Sequence, residues 1–308
     1  HKASDYSNSG MNEKAIDIMN FCCELDKLNR KECDTVRLNN LHQLARYLSF
    51  SKQYEQAILI NQKCLKSRLN CPDINPLDIA KSYNNIGVIY LNRQIFDSSL
   101  VNFNMAYFHL RRGDFKNAAI SFMLYNNYIL NSIFLGNSKD ALKLLKEWIN
   151  ISNETARINI TVEIKRFCYE LVFDKNFDDA MKFHDVGKKL VSELFGKNSP
   201  EYFLFESGFA AIIGNAGYDD LAYAQIKKID NQKRLARLSP FYQLVIGNNI
   251  AVSYMNLGYD SIGLNKYLEL KDKFIPIFKD SNSAFLLMSN LAICYKKLGD
   301  YNKMRETR

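Results

Sequence analysis

Apolar residues recur along this chain at helical spacing, and the helices they mark recur in turn. A first series of positions, Ala3, Ala45, Gly87, Ile129, Cys168, Ala210, Ala251 and Ala292, advances in steps of 42, 42, 42, 39, 42, 41 and 41 residues. One helical turn further, on the same face, stand Tyr6, Leu48, Tyr90, Ser132, Leu171, Ile213, Tyr254 and Tyr295, large in seven of the eight places. Twelve residues after each anchor come Ala15, Ala57, Ser99, Ala141, Ala180, Ala222, Gly263 and Met304, small in seven of eight, as a second helix passing close to the first requires. Between these marks lie Gly10, Gly136, Gly217, Gly258 and Gly299, with Lys52, Gln94 and Lys175 in the other three repeats. Glycine there lets one helix stop in the left-handed conformation and turn into the next. Asn75-Pro76, Ser199-Pro200 and Ser239-Pro240 each set a capping side chain before a first-turn proline. The pattern predicts an all-α, right-handed α-solenoid of about eight helix-turn-helix repeats with a period of 39–42 residues.

The signature is complete in Ala251-Val-Ser-Tyr254-Met-Asn-Leu-Gly258 and in Ala292-Ile-Cys-Tyr295-Lys-Lys-Leu-Gly299. It resembles the tetratricopeptide repeat family over essentially the whole chain. The family's usual period is about 34 residues. The longer period here, with Leu194-Phe-Gly-Lys-Asn-Ser-Pro-Glu-Tyr202 leading into a repeat, resembles the kinesin light chain type, also found before caspase-like CHAT protease domains. Ile129 and Ser132 in the fourth repeat and Lys165 to Cys168 in the fifth depart from the family pattern, so these two repeats are expected to pack differently. Residues 1–308 read as one continuous domain. Its first repeat starts just before Ala3 and its last ends at Arg308, midway through a second helix, so a fragment of a longer protein is expected.

Composition narrows the function classes. With 47% hydrophobic and 24% charged residues and no apolar run of about 18, the chain is expected to be cytoplasmic and free of the membrane. Seven cysteines, at 22, 23, 33, 64, 71, 168 and 294, form no C-x-x-C pair and have no histidines at metal spacing. They are expected to be reduced, structural thiols, with no metal and no cofactor. Three glycosylation sequons begin at Asn150, Asn153 and Asn159, as chance allows in an asparagine-rich chain. No H-E-x-x-H, G-x-S-x-G, G-x-G-x-x-G or Walker loop is present, and no catalytic role is expected for this chain. His184 reads as a core residue, and His109 as a helix-end residue interacting with terminal carbonyls. The net charge of +8, with Lys227, Lys228, Lys233, Arg234 and Arg237 in one run, lacks an aromatic platform, which disfavours nucleic acid.

Function then falls to the first helix of each repeat, whose face lines the groove in this family. Two before the anchor stand Asn85, Asn127, Asn249 and Asn290, with Gln43 in a further repeat; three before it stand Asn84, Asn126 and Asn248. An asparagine amide can pair with both the C=O and the N–H of an extended peptide. The competing reading has the same asparagines capping helices or pairing between adjacent repeats. Lys165 and Arg166, with His42, Arg46 and Lys81, could add charge-assisted bonds to acidic groups. The expected function is a non-catalytic interaction module that holds an extended segment or helix of a protein or peptide partner, with a preference for acidic residues. The resemblance also allows two alternatives: the regulatory array of a larger CHAT-type protease, or part of a peptide-sensing transcriptional regulator.

Overall fold

The computed structural model describes residues 2–113, 118–230, 232–278 and 281–307, which hold helices and no strand. The chain groups into two compact units, His1–Ala156 and Arg157–Arg308. The first contains α1 (Lys2–Asn8), α2 (Asn12–Asn29), α3 (Thr35–Phe50), α4 (Tyr54–Asn70), α5 (Pro76–Asn92), α6 (Phe96–Arg112), α7 (Ala118–Phe134) and α8 (Ser138–Ile151). The second holds α9 (Glu154–Phe173), α10 (Phe177–Phe195), α11 (Pro200–Asn215), α12 (Asp219–Ile229), the short α13 (Gln232–Leu235), α14 (Pro240–Asn256), α15 (Asp260–Phe278), α16 (Asn282–Lys297) and α17 (Tyr301–Glu306). Each unit is an α-solenoid of four helical hairpins. The anchors all fall on the first helix of a hairpin and the positions twelve residues later on the second.

Small side chains govern how the two helices of a hairpin meet. Ala15, Ala57, Ser99, Ala141, Ala180 and Ala222 are all 0% exposed. Ser99 Oγ donates to the carbonyl of Gly87 at 2.8 Å, a distance that leaves no room for a longer side chain. A Cβ on Gly87 would lie 2.7 Å from the Phe103 ring. The fourth and fifth repeats, expected to differ, keep the same packing. Ile129, Ser132 and Cys168 are buried, and Cys168 Sγ approaches the Ala180 carbonyl at 3.5 Å.

The turn between the helices is equally regular. All eight turn positions have positive φ: Gly10, Gly136, Gly217, Gly258 and Gly299 between 72° and 82°, and Lys52, Gln94 and Lys175 at 61°, 59° and 60°. The next N–H closes a six-residue ring onto the carbonyl of the residue one turn after the anchor, as in Gln53 to Leu48, Ile95 to Tyr90, Asn137 to Ser132 and Asp300 to Tyr295, at 2.8–2.9 Å. This is the Schellman arrangement. Of the three Xaa-Pro starts, Asn75 accepts from Leu77 N and Ser199 from Tyr202 N, whereas Ser239 keeps the extended cap backbone without a side-chain bond.

Two expectations are corrected. Cys33 and Cys71 form a disulfide with Cα atoms 5.7 Å apart, because the α2–α3 loop returns to the end of α4. The reduced-thiol argument for a cytoplasmic location therefore loses its basis. The remaining buried thiols do pack as hydrophobes; burial pushes Cys23 and Cys294 up to about 11 and raises Cys64 and Cys168 as well. His109 is buried and stacked on Tyr83, and among the described residues its ring makes no hydrogen bond to a terminal carbonyl; burial first, then Arg112, lowers its pKa. His184 is a core residue as expected, stacked on Phe209 with centroids 3.9 Å apart and with Nε2 2.8 Å from Glu206 Oε1. Among the described residues no helix is long and apolar enough to cross a membrane.

Two outcomes test this account of the fold. Replacing Lys52, Gln94 or Lys175 by Gly relieves about 1–2 kcal/mol of left-handed strain against about 0.5–1 kcal/mol of extra chain entropy. Each should therefore shift urea unfolding to higher concentration, and a shift to lower concentration contradicts the turn assignment. Reducing the Cys33–Cys71 bond, or Cys33→Ser, should destabilise by about 2–4 kcal/mol in a thermal melt; an unchanged melt contradicts the bond.

Candidate functional site

The first helices of successive hairpins pack on one another, α3 on α5 and α5 on α7 in the first unit, α11 on α14 and α14 on α16 in the second. Residues 41 to 43 apart are thereby stacked on one face. The structure joins them in a repeated way, with the residue two before an anchor reaching the residue three before the preceding anchor. Asn127 Nδ2 donates to Asn84 Oδ1 at 3.2 Å, and Asn290 Nδ2 to Asn248 Oδ1 at 3.1 Å. Asn249 Nδ2 donates to Ser207 Oγ at 3.3 Å, and Asn85 Nδ2 lies 3.3 Å from His42 Nδ1. The acceptors Asn84, Asn248, Ser207 and His42 are buried, while the donors Asn85, Asn127, Asn249 and Asn290 are half-buried. The pairing between repeats therefore exists, and it uses one N–H of each donor amide. The second N–H and Oδ1 remain.

The charged candidates are placed unevenly. In the first unit, Arg46, Asn84, Asn85 and Asn127 line one cavity of about 270 Å³. Arg46 Nη1 donates to Gln43 Oε1 at 2.9 Å, and its guanidinium lies over the Phe50 ring. Lys81 is paired with Asp78 at 2.9 Å, one turn earlier on α5. His42 is not a cation. Its burial, followed by the fields of Arg68, Arg46 and Lys81, lowers its pKa to about 3, so its neutral ring serves as the partner of Asn85. Asn126 Oδ1 is buried without a hydrogen-bond partner among the described residues.

In the second unit, burial lowers the pKa of Lys165, whose stem lies 3.5 Å from where a Cβ on Gly208 would be. That separation is ordinary van der Waals contact; Gly208, having no side chain, supplies no rung at this place. Arg166 is exposed and contacts Glu163 at 3.5 Å. Asn290 lines a separate cavity of about 470 Å³ with Asn215, Asn256 and Lys297. Of the basic run, Lys227, Lys228, Arg234 and Arg237 are exposed, Lys227 lies over the Tyr223 ring, and the Lys233 side chain is outside the described residues.

Sequence reasoning missed several polar groups. Arg68 is 1% exposed, its guanidinium held by the Asp78 carbonyl, Ser82 Oγ and Asn39 Oδ1 at 2.7, 2.7 and 3.1 Å. Glu147 accepts from Tyr107, Tyr125 and Arg111 at 2.7, 2.9 and 2.7 Å; these bonds outweigh the opposing effect of burial and keep its pKa low. Asn256 donates to Asn215, both five residues after an anchor, a further rung whose spacing was available in the sequence. Asn61 on α4 also lines the first unit's cavity. Among the described residues no group of three or more His, Cys, Asp or Glu is placed to hold a metal ion.

Eight anchored hairpins among the described residues, each closed by a left-handed turn and seven of them by a small-residue crossing, define a tetratricopeptide-repeat-like helical-hairpin fold. No family model and no curated protein matches the sequence. Solved structures of similar fold do exist. The apo form of RapI is 11% identical, with 88% of this chain and 94% of that one covered at a TM-score of 0.54. Aspartyl phosphate phosphatase F from Bacillus subtilis is 10% identical, with 88% and 68% covered at 0.51. A Rap protein complexed with competence and sporulation factor is 14% identical, with 100% and 75% covered at 0.50.

The buried His42 gives this face a pH signature. Because its folded pKa of about 3 is below the ordinary 6.5, neutral His42 favours the fold fully above pH 6.5, and that contribution is lost as pH falls toward 3. Denaturation of wild type and His42→Gln between pH 7 and 4 should show wild type losing stability more steeply, by on the order of 1 kcal/mol per pH unit. Parallel pH profiles contradict a neutral, buried His42.

Proposed function

We propose that this chain is a non-catalytic binding module whose first-helix face holds an extended segment of a protein or peptide partner. The observation that carries this reading is the set of half-buried amides, Asn85, Asn127, Asn249 and Asn290, each with one N–H committed to a neighbouring repeat. The commitment fixes the amide plane, so the remaining N–H and Oδ1 are oriented before a ligand arrives, and less freedom is lost on binding. A main chain in extended form presents an N–H and a C=O at regular intervals, which such amides satisfy without regard to side chains. Arg46 adds positive charge to the first-helix face of the first unit and Lys165 to that of the second, and each favours an acidic segment. A protein of similar fold, the Rap protein, is known in complex with competence and sporulation factor, which supports a protein or peptide partner for this chain.

The test is the affinity of the partner, first captured on the wild-type chain from the source cell, for the Asn85→Ala, Asn127→Ala double variant. Losing the ligand bonds of two amides should cost about 1–3 kcal/mol, a rise in Kd of about fivefold to 150-fold. Circular dichroism should show helicity unchanged. Wild-type affinity in the double variant contradicts the reading.

A further inference from the structure

The cavity of the first unit has a polar residue at its lining that the repeat pattern does not call for. Sixteen residues after the anchor, on the second helix, successive hairpins place Met19, Phe103, Leu145, His184, Ile226 and Tyr267, all buried at 0–7% exposure. This is the position that fills the core against the first helix. In the second hairpin it is Asn61, equally buried at 1%. His184, the other polar occupant, lies 2.8 Å from Glu206. Asn61 has no such neighbour: neither its Oδ1 nor its Nδ2 has a hydrogen-bond partner among the described residues. A buried amide with both ends unmet opposes folding, so its presence at this core position calls for a partner.

The surroundings define what would satisfy it. Asn61 lines the cavity of about 270 Å³ together with Asn84, Asn85 and Asn127, whose amides already pair between repeats. Apolar side chains, including exposed Phe50 and Met123, line the same cavity. The volume is just below the roughly 300–1,000 Å³ of small-molecule sites, enough for one side chain and its main chain. Both amide atoms of Asn61 are closed to solvent in the free chain, so a passing main chain does not meet them, and a ligand side chain meets them only by entering the cavity and displacing the side chains that cover them. A primary amide returns both bonds at once, its C=O accepting from Asn61 Nδ2 and its N–H donating to Asn61 Oδ1. A carboxylate meets only the donor and faces Oδ1 with like partial charge; an alkyl group meets neither.

We propose that this cavity is a specificity subsite for a primary-amide side chain, glutamine or asparagine, of the bound segment. The proposal rests on the first-helix face being the binding surface. Methylenes of the ligand pass Phe50 and Met123, and the amide pairs with Asn61. A site built to hydrogen-bond an amide rejects isosteres that leave its polar atoms unmet.

The experiment titrates the ¹⁵N-labelled chain with N-acetylglutamine N-methylamide, with its glutamate analogue and with its norvaline analogue, following the Asn61 side-chain NH₂ resonance pair. The expected result is a saturating shift with the glutamine probe and at least tenfold weaker binding of the other two. Asn61→Leu should abolish that preference and raise the melting temperature, and Asn61→Ala, which leaves the cavity open, should abolish the preference without filling the site. No shift with any probe, as for a cavity that holds only water, overturns the proposal; so do equal shifts with all three, or a glutamine preference that survives in either variant. Partner affinity separates the two readings. If it depends on Asn85 and Asn127 but not on Asn61, the subsite fails and the binding face stands. If the glutamine probe seats at Asn61 while the Asn85, Asn127 double variant binds the partner normally, the binding face fails instead.

Discussion

Two helices can cross at the distance seen here only where the side chain at the crossing ends at, or just beyond, Cβ. In seven of the eight hairpins that condition is met by one residue on the second helix, Met304 being the exception, and six of these are entirely shut off from solvent. Close packing at that point, together with the left-handed turn five residues earlier, leaves the hairpin little freedom of register. Everything that follows depends on this register. Because each first helix is held at the same height, residues about 42 positions apart face one another on adjacent helices, and a polar side chain repeated at that interval becomes a ladder.

Under the proposed function, the ladder is where the inter-repeat contact and ligand recognition share the same atoms. An asparagine amide has two N–H groups and one oxygen; bonding one N–H to the preceding repeat leaves an acceptor and a donor on a fixed plane. The inter-repeat bond and ligand recognition are therefore compatible uses of one residue. Where a rung is absent, at Gly208, the neighbouring side chain on the preceding first helix is Lys165, whose stem lies within van der Waals reach.

Much of the fold was legible in the sequence because the repeat writes the same physical demand eight times. The small residues at the crossing and the large residues one turn after the anchors needed no structure to be read. Even Lys52, Gln94 and Lys175, which lack the glycine signal, were located by position, and their backbone obeys the position rather than the side chain. What was not legible depends on pairings that fall outside the period. Cys33 and Cys71 meet across a loop and the end of α4, a contact with no counterpart in other repeats. Buried Arg68 is held by neutral acceptors from two helices, and Glu147 by hydroxyls from two others, so neither carries a motif. His42 looked like a cation because its burial and its cationic neighbours are tertiary facts. Asn61 was readable in principle, as the one repeat where a core position turns into an amide, but only once that position was known to be core.

The central claim, that the first-helix face rather than the second-helix surface binds the partner, is tested most directly by site-specific photo-crosslinking. A photoreactive p-benzoylphenylalanine replaces Val88, which lines the first unit's cavity, or Leu59, which is 65% exposed on the second helix α4. The account predicts that irradiation in the presence of the partner yields a covalent adduct from position 88 and none from position 59. An adduct from position 59 alone, or equal adducts from both, contradicts it.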